Sequence, residues 1–190
     1  KLTNHVPNRV LPFSTGVIGE LLPVDKIEAA LPGAMADLSE ANWARAARAI
    51  MTTDTRPKLR VKTVEVNGQS CRIVGMSKGS GMIQPNMATM LGFVATDAEV
   101  DGELLHRALQ LVTNKSFNRI TVDSDTSTND AVVLAATGAS GVVIDENNFK
   151  QFVANLEKVF IELAQLIIRD GEGATKFVSV VVDSAVDSEE

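Results

Sequence analysis

The chain has 190 residues, of which 45% are hydrophobic and 22% are charged, so its composition excludes a disordered or collagen-like protein. The formal net charge of −6 argues against nonspecific nucleic-acid binding, and no apolar run approaches the ~20 residues that a membrane helix needs. The single cysteine excludes an internal disulfide and favours a reducing compartment, and the two histidines argue against a His-rich metal site.

The first quarter of the chain alternates between strand and helix patterns. Residues 9–13 are predicted to form a short strand. Pro23 can open a short helix over residues 26–31, which Pro32-Gly33 would end. Ser39 can cap a second helix with its apolar face over residues 43–50. This alternation favours a mixed α/β fold.

The strongest local signal is Asn67-Gly68. This dipeptide favours the positive φ angles of a type I′ turn, so residues 61–66 and 70–74 are predicted to form a β-hairpin. A further strand is predicted over residues 90–96.

The second half of the chain continues the mixed pattern. A helix is predicted to start at Asp101 or Gly102, and the longest helix is predicted to start at Asn147 or Asn148. Residues 130–137 are small and apolar on most sides, which indicates a buried helix. Two further strands are predicted, over residues 119–123 and 176–183.

Five polar segments rich in Gly or Thr lie between these elements, and loops on a rigid scaffold often carry chemistry. None has the spacing of a P-loop, a calcium loop, a zinc hydrolase motif or a nucleophile elbow. The chain is therefore rich in threonine but lacks an obvious general base. The segments cover residues 14–20, 51–58, 78–83, 123–130 and 170–176.

A threonine at a newly made N-terminus can use its own α-amine as the base, because the pKa of such an amine is about 7.7–8.0. Residues 81–91 could generate one. Pro85-Asn86 favours a turn, Ala88 is small, and Thr89 precedes a predicted strand. Attack of the Thr89 hydroxyl on the Ala88 carbonyl would give an ester that water hydrolyses.

The segment KGSGMIQPNMATML at residues 78–91 resembles the self-cleavage segment of the glutamate N-acetyltransferase/ornithine acetyltransferase family. Four other segments resemble family motifs in the expected order, and the resemblance extends from about residue 10 to residue 182. They are STGVIGE, IMTTDTRPK, SFNRITVDSDTSTND and DGEGATK.

The resemblance implies a cytoplasmic enzyme of arginine biosynthesis. It would move acetyl from N-acetylornithine to glutamate through an acetyl-threonine intermediate, and some members also take acetyl from acetyl-CoA. No metal or prosthetic group is implied, and neither nucleic acid nor a membrane is expected as a partner.

The implied fold is an α/β sandwich of mixed sheets and helices, of the ornithine acetyltransferase type and similar to an aminopeptidase family that also uses an N-terminal nucleophile. Family members are about twice as long, so the sandwich is expected to be incomplete here. Residues 1–88 would be the C-terminal part of an α chain, and residues 89–190 the N-terminal part of a β chain. The two would form one interleaved domain in an α2β2 assembly.

The catalytic residues follow from the matching motifs. Thr89 would be the nucleophile, and the bond between Ala88 and Thr89 would be cut. Thr15 and Gly16 match the family's oxyanion-stabilising pair, since a hydroxyl and a backbone N–H can both donate to a developing oxyanion.

The substrate contacts are carried over in the same way. Lys78 suits the α-carboxylate of an amino acid, and Glu172 could receive the substrate's ammonium group. Thr52 matches a further contact, although the adjacent Thr53 is not excluded. Thr89 would also contact the substrate. Ser124 departs from the pattern, because it stands where Gly is expected.

Two other readings stay open. On the same scaffold, water could replace glutamate as the acceptor, giving an aminopeptidase or amide hydrolase. Alternatively, the chain could be an unprocessed, non-catalytic fragment. A fragment would leave sheet edges and apolar faces uncovered.

Overall fold

The structure, a computed structural model, describes residue 3, residues 5–84 and residues 90–185. The predicted turn at Pro85-Asn86 and the predicted cleavage site at Ala88 and Thr89 lie outside the described residues. Within the described part, the helices are α1 (Val24–Ala36), α2 (Trp43–Ala49), α3 (Gly102–Asn114) and α4 (Phe149–Ile168). The strands are β1 (Lys58–Val66), β2 (Gln69–Lys78), β3 (Leu91–Thr96), β4 (Glu99–Val100), β5 (Ala131–Ala136) and β6 (Val143–Ile144).

The main sheet has the order β1-β2-β3-β5. Strands β1 and β2 form the predicted hairpin, with Asn67 at φ 50° and Gly68 at φ 76° as a type I′ turn requires. Strand β3 runs antiparallel to β2 and parallel to β5. Strands β4 and β6 form a separate parallel pair. The predicted mixed α/β architecture is confirmed.

Helices α3 and α4 pack against each other and against one face of the main sheet, where α4 contacts β1 and β2, and α3 contacts β5. The apolar stripe of α4 is the centre of the core, and Leu156, Phe160 and Leu163 are fully buried. Phe117 stacks on Phe160 with ring centroids 5.5 Å apart. Because apolar residues recur at helical spacing along α4, one face of the helix is buried along its length.

The opposite face of the sheet is largely open within the described residues. Val61 on this face is 58% exposed, and Phe93 is covered by an edge-to-face contact with Phe13 at 5.2 Å. Helix α1 buries none of its residues. No helix of the described residues is both long and apolar enough to cross a membrane.

The predicted helix starts are largely confirmed. Asp101 caps α3 by accepting the Glu103 N–H at 2.8 Å. Ser39 accepts the Ala41 N–H at 3.2 Å, at a 3₁₀ turn that runs into α2. Asn148 precedes α4, but its side chain bonds to Asp145 and Val143 rather than capping the helix.

The predicted buried helix over residues 130–137 is wrong, because this segment is strand β5. Its alanines favour a helix, and a short apolar run cannot be assigned by periodicity alone. Pairing with β3, in which Leu91 aligns with Ala131 and Thr96 with Ala136, overrides that preference.

The predicted strands over residues 9–13, 119–123 and 176–183 are also wrong. These segments form 3₁₀ turns or irregular chain, since a strand needs a neighbour to accept its backbone hydrogen bonds. The helix predicted over residues 26–31 continues through Pro32 to Ala36. A proline within a helix removes its own N–H bond and crowds the carbonyl of residue i−4, which costs stability but does not always end the helix.

A buried ion cluster joins the start of β1 to the end of α4. Lys58 is fully buried, and its Nζ lies 2.5 Å from Asp54 Oδ1 and 2.6 Å from Asp170 Oδ2. Asp170 also accepts hydrogen bonds from the N–H of Thr55 at 3.0 Å and from the Thr55 hydroxyl. One ammonium group therefore links residues 54–58 to Asp170, which lies 112 residues further along the chain.

Both carboxyl groups of the cluster have a pKa below the ordinary value of 3.8. Burial alone would raise the pKa, because it penalises the charged form. Hydrogen bonds from Lys58 and from nearby backbone N–H groups outweigh that effect. Asp54 and Asp170 are therefore ionised at neutral pH and compensate the buried Lys58.

We expect Gly75→Ala to destabilise the fold by about 1–3 kcal/mol, the usual cost of overpacking a core. A Cβ at residue 75 would lie 2.8 Å from Leu163 Cδ1 and 3.0 Å from Val94 Cγ2. Gly102→Ala is the matched control, because a Cβ there meets no atom within 4 Å. Urea unfolding would measure both free energies. Equal effects of the two substitutions would contradict this packing.

We expect Lys58→Met to cost about 3–5 kcal/mol of unfolding free energy, because it leaves buried carboxylates without their cation. Lys62→Met is the matched control on the same strand. The pair between Lys62 and Glu162 is about one third exposed, so its loss should cost about 1 kcal/mol or less. A loss for Lys58→Met no larger than for Lys62→Met, measured by chemical denaturation, would refute the role of the cluster.

Candidate functional site

Two of the predicted substrate contacts meet at the end of β2. Lys78 is the last residue of this strand and is only 2% exposed. Its Nζ donates a hydrogen bond to Thr52 Oγ1 at 3.0 Å. The Thr53 hydroxyl instead bonds to Ser80 Oγ at 2.6 Å. Of the two adjacent threonines, Thr52 is therefore the one in contact with Lys78.

Asp54 binds backbone N–H groups at Thr52 and directly after Lys78. Its Oδ1 accepts the Gly79 N–H at 2.8 Å, and its Oδ2 accepts the Thr52 N–H at 3.2 Å. Gly79 has a φ of 144°, which residues with a side chain rarely adopt. The carboxylate that compensates Lys58 therefore also positions the loop that follows Lys78.

The environment of Lys78 lowers the pKa of its ammonium below the ordinary value of 10.5. Burial is the largest cause, and the nearby charge of Lys58 acts in the same direction. The negative charges of Asp54 and Asp130 act against them. An ammonium group that has lost much of its water gains more from an anionic partner than an exposed one does.

Glu172 lies beside the same loop. Its N–H donates to the Ser80 carbonyl at 2.7 Å, and its exposed carboxylate covers Gly81. A Cβ at Gly81 would lie 2.8 Å from Glu172 Cδ and Oε2, so glycine allows this close approach. The structure thus brings Thr52, Lys78 and Glu172 into one region.

The predicted oxyanion pair is attached to a different segment. Asn129 Nδ2 donates to Thr15 Oγ1 and to the Ser14 carbonyl, each at 2.9 Å. Gly16 follows Thr15 in an exposed stretch of chain. In the next position after Asn129, Asp130 Oδ1 accepts the Met90 N–H at 2.8 Å.

A pocket of about 300 Å³ opens beside Met90 and Asp130. Its other wall is the second half of α3, with Thr113 and Asn114, and the ring of Phe117. The walls combine apolar surface with hydroxyl, amide and carboxylate groups, which is typical of a site for a small polar molecule.

Asp54, Lys58, Asp170, Asn129 and Asp130 had no role assigned from the sequence. All of them fall within three of the five polar segments, residues 51–58, 123–130 and 170–176. The three aspartates could have been identified from the repeated occurrence of Asp in those loops, because a carboxylate is a common acceptor for loop N–H groups. Ser124 has a φ of 65°, which explains why glycine is expected there.

The sequence matches the model of the ArgJ family over residues 1–190. It is 54% identical over 186 residues to the arginine biosynthesis bifunctional protein ArgJ of Methylococcus capsulatus, which covers 96% of this chain and 46% of that protein. It is 56% identical over 187 residues to the protein of the same name from Psychrobacter arcticus, with the same coverage of both chains.

A crystal structure of the arginine biosynthesis bifunctional protein ArgJ from Bacillus halodurans matches 46% of this chain and 43% of its own, with 48% identity and a TM-score of 0.45. The chain spans about half the length of the curated relatives it matches. Since the family model covers every residue, the chain belongs to the ArgJ family.

Proposed function

We propose that the protein carrying this chain transfers acetyl from N-acetylornithine to glutamate through an ester on Thr89. The observation that carries the proposal is the register of β2 and β3. Lys78 pairs with Leu91, so the residue that carries a buried ammonium group lies beside the first residue of the strand that begins two positions after Thr89. The membership in the ArgJ family and the names of its relatives support the same reaction.

Self-cleavage would produce the nucleophile. The Thr89 hydroxyl attacks the Ala88 carbonyl, the peptide bond becomes an ester, and water releases the two pieces. The freed α-amine of Thr89 then accepts the hydroxyl proton during acetyl transfer. Residues 1–88 would form the C-terminal part of one piece, and residues 89–190 would form the N-terminal part of the other. Strands β2 and β3 pair across the cut, which supports one interleaved domain.

Thr15 and Gly16 would stabilise the oxyanion that forms when acetyl moves. Asn129 Nδ2 can only donate, so the bond to Thr15 Oγ1 uses an acceptor site of the hydroxyl. The proton of Thr15 therefore stays available for donation. One such donor to an oxyanion contributes about 3–4 kcal/mol to transition-state stability.

Lys78 and Glu172 would recognise the ends of an amino acid. The Lys78 ammonium pairs with the α-carboxylate, while the exposed Glu172 carboxylate over Gly81 accepts the ammonium group. Both substrates of the proposed reaction carry a carboxylate at the same end, so a single cation serves both half-reactions.

The remaining parts of the proposal follow the family. Acetyl-CoA can replace N-acetylornithine as the acetyl donor, which would give N-acetylglutamate directly. The cleaved chains stay together as an α2β2 assembly in the cytoplasm. The single buried cysteine is consistent with that compartment.

We expect Thr89→Ala to abolish both self-cleavage and acetyl transfer, because it removes the hydroxyl on which both depend. Intact mass under denaturing conditions should show two pieces of roughly half the 20.3 kDa chain for the unmodified sequence, and one piece for the variant. N-terminal sequencing should place Thr89 first. Thr63→Ala, at an exposed position of β1, is the control.

An assay with N-acetylornithine and glutamate, on the longer protein that contains this chain, completes the test. Cleavage followed by acetate release instead of transfer would indicate the hydrolase. A single uncut piece from the unmodified sequence, in the isolated chain and in the longer protein alike, would contradict the proposal and favour the non-catalytic fragment.

We expect Lys78→Met to raise the KM for glutamate by about 10- to 100-fold, because a charged hydrogen bond contributes about 1.5–3 kcal/mol. Steady-state kinetics on the cleaved longer protein would measure this change. Lys62 lies on β1 and pairs with Glu162, so Lys62→Met should leave the KM for glutamate unchanged. An unaltered KM in Lys78→Met would show that Lys78 does not bind the carboxylate.

A further inference from the structure

The acidic loop, residues 121–130, carries carboxylates to which the proposed reaction assigns no role. Asp123, Asn129 and Asp130 each bond to a part of the chain that flanks the proposed cleavage site or its oxyanion pair. The loop follows the 3₁₀ turn Phe117–Arg119 and leads directly into β5.

On the upstream side, the loop fixes Met82 and Ile83. The carboxylate of Asp123 accepts the Met82 N–H at 2.6 Å and the Ile83 N–H at 3.0 Å. The Ile83 carbonyl accepts the Val122 N–H and the Thr121 hydroxyl, each at 2.9 Å. Both backbone polar groups of Ile83 are thus bonded to the acidic loop.

The downstream side is held in the same way. Asp130 Oδ1 accepts the Met90 N–H at 2.8 Å, and the Met90 carbonyl accepts the Ala131 N–H at 3.2 Å. The Met90 N–H belongs to the peptide group that joins Met90 to Thr89. Fixing this N–H therefore fixes the covalent attachment point of Thr89.

The carboxylate of Asp130 is well suited to this task. Hydrogen bonds from a backbone N–H to an ionised acceptor are about twice as strong as neutral ones. Burial raises the pKa of Asp130 above its ordinary value of 3.8. The bonds from the Met90 N–H and Ser127 and the charge of Lys78 act against that rise and favour the ionised form. Asn129, the preceding residue, links this point to Thr15.

We propose that the acidic loop positions the cleavage segment, with Asp123 holding its upstream flank and Asp130 holding the peptide group of Thr89. The inference rests on the proposed function, since it takes Thr89 as the nucleophile. Neither carboxylate takes part in the chemistry. Each acts through the backbone that it binds, and Asp130 keeps this role after the chain is cut.

The test measures the rate of self-cleavage by intact mass after cell-free synthesis of the chain. We expect Asp130→Ala to slow cleavage about 10- to 100-fold, the rate equivalent of one charged hydrogen bond. Asp130→Asn keeps an acceptor oxygen in place but loses the charge, so it should slow cleavage only about 3- to 10-fold, half of that effect in free energy. Asp123→Asn should be slower than Asp130→Asn, because one amide oxygen cannot replace two carboxylate oxygens.

Asp145→Ala is the matched control. Asp145 also accepts two backbone N–H groups, those of Asn147 and Asn148, but in the turn before α4. Its loss should lower stability without slowing cleavage. If Asp130→Ala does not fold, Asp130→Glu replaces it, because a longer side chain moves the carboxylate and should also slow cleavage.

The outcomes separate the two levels of the proposal. If the unmodified chain is never cut in either the isolated form or the longer protein, the proposed function fails, and this inference fails with it. If the unmodified chain is cut and the Asp130 variants keep its rate, only the positioning role is refuted. In the cleaved longer protein, Asp130→Asn should restore most of the kcat that Asp130→Ala loses.

Discussion

The arrangement of the candidate site depends on one buried cation. The ammonium group of Lys58 is buried, and its charge would destabilise the fold if Asp54 and Asp170 did not compensate it. Because the pKa of each carboxyl lies below its ordinary value of 3.8, the stabilisation is fully present above that pH. It is lost as the pH falls through the lower folded values. Acid therefore removes the connection between the start of β1 and the end of α4.

The same cluster explains how a second cation can be buried nearby. The nearby charge of Lys58 acts with burial to lower the pKa of Lys78. Asp54 offsets this effect and at the same time holds the Gly79 and Thr52 N–H groups. The Lys78 ammonium is bonded to Thr52 and forms no ion pair with any residue that the structure describes. An anionic substrate would supply the missing charge, so binding and local electrostatics favour the same occupant.

What the sequence predicts well is local. The turn at Asn67-Gly68 and the stripe of α4 are determined by neighbouring residues, so their positions follow from turn chemistry and periodicity. Strand β5 depends on pairing with β3, which lies about forty residues away, and its alanines suggest the wrong structure. The contact between Lys58 and Asp170 spans 112 residues, so no local pattern can indicate it. The family resemblance predicts roles for the threonines and Lys78. The carboxylates that bind the backbone around them are recognised only from the three-dimensional structure.

A protein that cuts its own backbone loses a covalent restraint at the point where it needs order most. Each new end gains conformational freedom, which favours many positions of Thr89 over the reactive one. The ladder between β2 and β3 holds the strands on either side of the proposed cut, and on the downstream side it begins at Leu91. Asp130 binds the Met90 N–H just before that ladder, and Asp123 binds the upstream flank from the same loop. A loop that lies wholly downstream of the cut can thus keep both flanks in place after the peptide bond is gone.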